Sequence, residues 1–125
     1  MKTPLRYILA GLSLTALYGC ASFTGAGAKS LAGTWTNSLG TVWTIKSDNS
    51  FDVDRDHDGK TDIRGTYTIQ GDTFTVTGNE GKIPKGCEGQ GVYKFSRKGN
   101  DLTFTLVSDT CKDRKKNILS PWHMK

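Results

Sequence analysis

The chain has 125 residues and a formal net charge of +5, from 17 Lys and Arg against 12 Asp and Glu. That length holds one domain, and with 35% hydrophobic and 23% charged residues the composition is neither that of a wholly disordered chain nor of a collagen-like repeat. So small a charge excess, with no aromatic stripe among the basic residues, argues against a nucleic-acid binder.

The first element is an export segment. Lys2 and Arg6 precede the uncharged apolar run from Tyr7 to Leu17, the layout of a signal peptide. The run falls short of the roughly 20 residues that cross a bilayer, so no transmembrane helix is expected in the mature protein. It ends in Leu17-Tyr18-Gly19-Cys20, which resembles the lipobox of bacterial lipoproteins, where the cysteine is lipidated and becomes the mature N-terminus. The resemblance implies a signal peptide over 1–19 and a membrane anchor on Cys20. The alternative is an ordinary secretory cut near Ala21-Ser22 that discards Cys20. Ala21 and Ser22 lack the aspartate resembling an inner-membrane retention signal, so in a Gram-negative host the outer membrane is expected.

Residues 20–30 are small and polar without hydrophobic period, and read as a flexible tether. From Leu31 to Lys125 the pattern changes to alternation with period two, rich in Thr, Val, Ile and aromatics, over Gly33–Asn37, Thr41–Lys46, Ser50–Asp54, Ile63–Gln70, Thr73–Thr77, Gly91–Arg97 and Leu102–Val107, with a weaker run over Leu119–Met124. No amphipathic helix is expected. Short turn sequences such as Gln70-Gly71-Asp72 and Gly99-Asn100-Asp101 join sequence neighbours, which predicts an antiparallel up-and-down meander of seven to eight strands. Gly33-Thr34-Trp35, Gly65-Thr66-Tyr67 and Gly91-Val92-Tyr93 repeat a Gly-x-aromatic opening, and repeated hairpins bury their apolar faces best by closing into a barrel, which also removes sheet edges. Alternation points Trp35, Trp43, Ile45, Phe51, Val53, Tyr67, Ile69, Phe74, Val76, Tyr93, Phe95, Leu102, Phe104 and Leu106 inward, bulky enough to leave at most a modest cavity.

Asp54, Asp56, Asp58 and Asp62 fall at positions one, three, five and nine of a calcium loop of the EF-hand or dockerin type, with Gly59 at six and the Lys60 carbonyl available at seven. Alternate residues of a curled loop turn their oxygens to one centre, so a weak calcium site is expected. The twelfth position is Gly65 where such a loop carries a bidentate glutamate, and strands flank it. The alternative is a solvated acidic loop screened by Arg55, Lys60 and Arg64. His57 is expected to point away from the ion, and His123 has no partner in sequence.

Of three cysteines, assigning Cys20 to lipid leaves Cys87 and Cys111 as a pair. In an oxidising compartment their disulfide would close a loop of about 24 residues, worth on the order of 3 kcal/mol. The rival, reactive or metal-binding thiols, lacks CxxC spacing. Lys112, Arg114, Lys115 and Lys116 form a basic cluster that reads as a solvated segment or a contact to anionic headgroups.

Gly33-Thr34-Trp35 after a flexible lead resembles the Gly-x-Trp that opens the first strand of lipocalins and their calycin relatives. The resemblance implies a barrel and an apolar or amphipathic small-molecule ligand, with Arg114, near the start of the last strand, packing over Trp35 to close the barrel. No nucleophile or zinc-hydrolase motif is present, so an enzyme is not expected. The readings are therefore a membrane-tethered lipocalin-like ligand binder or, with a filled barrel, an envelope inhibitor, interaction or structural lipoprotein with a protein partner.

Overall fold

The computed structural model describes residues 31–125; the expected signal peptide (1–19) and the tether with Cys20 (20–30) lie outside the described residues. Eight strands close into one antiparallel barrel in chain order: β1 (Gly33–Asn37), β2 (Val42–Ile45), β3 (Ser50–Asp54), β4 (Ile63–Gln70), β5 (Thr73–Gly81), β6 (Gln90–Lys98), β7 (Asp101–Ser108) and β8 (Trp122–Met124). The ring closes where β8 pairs with both β7 and β1, through Leu102 opposite Trp122 and Trp35 opposite Met124. The strand pattern and meander expected from alternation are present. β5 runs on to Gly81, where the sequence reads as a turn from Gly78, because Gly78 and Glu80 still pair with Gly65 and Arg64 across a bulge.

A helix, α1 (Lys112–Ile118), stands between β7 and β8 and corrects the helix-free expectation. At two turns it is too short for a periodic signal, it buries one apolar residue, Ile118, and its start is held from outside its own sequence. The Cys111 sulfur, N-capping the helix, accepts from the Arg114 N–H, and Cys111 is disulfide-bonded to Cys87 with Cα atoms 4.7 Å apart. The expected pairing is thus in place.

The inward side chains form one core. Trp35, Trp43, Ile45, Phe51, Tyr67, Phe74, Val76, Tyr93, Leu102 and Phe104 are buried with Leu31, Ile118 and Trp122, while Val53, Ile69 and Phe95 are packed against them at partial burial. Trp43 is the hub, meeting Phe51 and Phe74 edge-on at 5.9 and 5.6 Å and Trp122 at 5.1 Å. Leu106 breaks the expectation: it is 45% exposed, because β8 accompanies β7 only at Asp101 and Leu102 and the upper half of β7 rises past it.

Chain direction gives the barrel two ends. Leu31, the Lys46–Asn49 turn and the hairpin turns at Gly71 and Gly99 lie at the base, where the Trp35 indole N–H donates to the Leu31 carbonyl at 2.9 Å. The β1–β2 turn, the 55–62 and 82–89 loops and α1 gather at the mouth.

Candidate functional site at the barrel mouth

The acidic loop joins β3 to β4 at this mouth. His57 and Gly59 take left-handed backbone (φ 59° and 85°), the bend that a calcium loop asks of glycine at its sixth position. Asp54 accepts the N–H groups of Asp58 and Gly59 (3.2 and 2.8 Å), Asp58 accepts that of Lys60 (2.8 Å), and Asp62, itself buried, accepts that of Arg55 (2.8 Å). The four aspartates thereby bring one carboxylate oxygen each to within 4.8 Å of one another. Desolvation, the hydrogen bond to Asp54 and repulsion from Asp58 and Asp62 push the Asp56 carboxyl above its ordinary value. On Asp54, desolvation acts upward but the Gly59 and Asp58 N–H bonds outweigh it, and its carboxyl is held low. Lys82 reaches Asp62 at 3.5 Å, so one cation already leans on the cluster.

The second feature is a closed ionic clasp beneath the disulfide. The Asp109 carboxylate, with no exposed side-chain surface, takes two bonds of 2.7 Å from the Arg114 guanidinium, one of 2.9 Å from the Cys111 N–H and one from the Tyr93 hydroxyl. Burial works against that charge, but the Arg114, Tyr93 and Cys111 donors prevail and hold the carboxyl below the usual range. Burial first, and the bond to Asp109 second, raise the Tyr93 phenol well above its ordinary value. Gly91 makes room: a Cβ there would run into the Asp109 carboxylate and the Arg114 guanidinium.

This geometry corrects the expected Trp35–Arg114 pair. Arg114 sits in α1, committed to Asp109 at the mouth, whereas Trp35 closes the base, where Arg97 stands over its ring at 5.0 Å. The β6–β7 hairpin supplies the cation that the last strand was expected to supply. His123 also finds a partner invisible in sequence, the Asp101 carboxylate at 2.7 Å across the β7–β8 pairing. Asp109-x-Cys111-x-x-Arg114 was the readable trace of the clasp, an acid, a half-cystine and a base at helix-start spacing.

Between clasp and core lies an apolar cavity of about 80 Å³, lined among others by Trp43, Phe51, Ile63, Ile83, Ile118 and both cystine residues. Gly78 also lines it without being required by the backbone, since an added Cβ would meet Ile63 and Ile83 at an ordinary 3.6 Å. The Trp43 Nε1–H is, among the described residues, the buried side-chain polar atom without a hydrogen-bond partner. Set against family models, curated proteins and solved structures, the chain matches none of them, and its function has to be read from the barrel itself.

Proposed function

We propose that the chain is a lipid-anchored envelope lipoprotein whose filled barrel is a scaffold for recognition at its surface. The observation that carries this reading is the apolar cavity reaching into the barrel: about 80 Å³ is well below the roughly 300 Å³ at which pockets begin to enclose drug-sized or acyl ligands, and the larger cleft of about 500 Å³ at the mouth is lined by charged side chains, Arg55, Asp56, Asp62, Lys82, Asp113 and Lys116 among them. The base, where the described chain begins at Leu31, would face the membrane through the tether, leaving the acidic loop, the 82–89 loop and α1 toward a protein partner. Calcium at Asp54, Asp56, Asp58 and Asp62, with the Lys60 carbonyl, would neutralise the converging carboxylates and fix the loop for that contact. Titration with a fluorescent long-chain fatty acid tests the reading. No saturable binding is expected, and one-to-one saturation would overturn it.

A second reading, a small apolar ligand, is favoured by the open side of Gly78 and the unpaired Trp43 N–H, and would be limited to a molecule about the size of a single ring. In either reading the lipobox-like Leu17-Tyr18-Gly19-Cys20 would supply the membrane tether, and Cys20→Ser should abolish lipid labelling and detergent-phase partitioning.

A further inference from the structure

The apolar cavity is not sealed from the mouth. Thr41, Arg55, Asp113 and Asn117 line both it and the charged cleft of about 500 Å³, so the two spaces meet at a neck formed by these four residues. The neck is tied across in pairs. The Thr41 hydroxyl donates to Asn117 Oδ1 at 2.5 Å, and the Arg55 guanidinium stands 3.8 Å from the Asp113 carboxylate. The β1–β2 turn and the acidic loop are thereby joined to α1, and the opening is organised before anything enters it.

Inside the neck the space is left by side-chain choice. Gly78 takes no left-handed φ that would require glycine, and a Cβ there would meet Ile63 and Ile83 only at 3.6 Å. At roughly 10–15 Å³ for each water-sized group, about 80 Å³ takes on the order of six non-hydrogen atoms, one phenyl ring or one leucine side chain. Outside the neck the cleft carries Arg55, Lys82 and Lys116 against Asp56, Asp62 and Asp113, together with Leu39, which is 45% exposed.

The two spaces suit two parts of one occupant. A protein interface is anchored by an apolar side chain in a desolvated pocket with a polar rim around it. A free ring has few atoms with which to bind, and the balanced charge of the cleft gives no net attraction to an anionic lipid surface. A polypeptide brings the ring and the polar flanks together. We propose that the cavity is the anchor pocket of the recognition surface, taking one phenylalanine or leucine side chain of the protein partner while the partner's polar flanking residues lie in the cleft. The anchor rests on the recognition proposed for the mouth and names the chemistry of what is recognised there.

The test selects binders of the full chain from a displayed library of short random peptides. They should share one Phe or Leu between polar residues, and its replacement by Ala should weaken binding by at least about tenfold. Gly78→Val fills the cavity from β5 without entering the cleft and should weaken the same peptides by a similar factor. Ile83→Phe fills it from the 82–89 loop and keeps the test open if the strand variant fails to fold. Lys116→Glu, in the cleft, should change which flanking charges are selected and leave the dependence on the anchor. Peptides that respond to Lys116→Glu yet share no apolar residue and ignore both filling variants would overturn the anchor while surface recognition stood; a library yielding no binder would overturn both. p-Cresol bound as tightly as the selected peptides would give the cavity to a free ligand, peptides that bind only in Phe23→Ala would give it to this chain's own tether, and a wild-type dimer dissolved by Gly78→Val would give it to a second copy. Any of these three results overturns the proposal.

Discussion

Replacing Arg114 by Met keeps much of the side chain's apolar length and removes the charge opposite Asp109. The carboxylate would remain fully buried with only the Tyr93 hydroxyl and the Cys111 N–H as donors. Removing one partner of a buried ion pair costs about 3–5 kcal/mol. In a domain of this size each kcal/mol shifts melting by about 4–8 °C, so a drop of about 12–40 °C is expected in thermal melts followed by circular dichroism with the disulfide intact. Tyr93→Phe, which removes one hydrogen bond to a charged acceptor, should cost about 1.5–3 kcal/mol. Acid separates this mechanism from simple loss of packing. In wild type the Asp109 carboxyl is held low, so its contribution is lost as pH falls through and below the ordinary carboxylate range. Without Arg114 the carboxyl's folded-state value rises, and the variant gains by protonation, so the gap between variant and wild type narrows in acid. A deficit under about 1 kcal/mol at neutral pH, or one that stays constant down to pH 3, would refute the clasp as a buried charge pair.

Other expectations follow from single features. Wild-type stability should also fade above about pH 10, because the Tyr93 phenol is raised by burial and by Asp109 and its contribution is complete only below its unfolded value; a flat alkaline limb in urea titrations would contradict this. Millimolar calcium at matched ionic strength should raise the melting temperature by several degrees, and Asp56→Asn with Asp58→Asn should abolish the rise; equal melting with calcium and with chelator would leave a solvated loop. Gly78→Ala should stabilise by about 0.4–1 kcal/mol, since its methyl enters apolar space at ordinary contact distance and the unfolded chain loses freedom; destabilisation would show that the space beside Gly78 is not free.

The barrel was legible in sequence because every strand obeys a period of two and the turns declare themselves: β1, β3 and β4 begin and end where alternation puts them. Trp43, Phe74 and Tyr93 could be assigned to the core by parity alone. What escaped were features decided by distance in three dimensions. α1 owes its place to a disulfide 24 residues long and to Asp109, neither of which leaves a helical period in Lys112–Ile118. The cation over Trp35 could be any basic residue whose strand ends at the base, and Arg97, at the tip of the β6–β7 hairpin, reaches it. Leu106 has inward parity but lies above the point where β8 leaves β7, a height set by the stagger of the barrel that composition does not encode. The acidic loop was readable to the residue because calcium-type spacing acts within nine positions, and its four carboxylates do converge.

The filled interior is most directly tested by native mass spectrometry of the protein purified from its own host in mild detergent. The expected spectrum holds, beyond the covalent mass of the protein, no retained organic molecule larger than a single ring. A fatty acid, porphyrin or other bulky ligand retained at one per chain would contradict a filled barrel and restore the carrier reading.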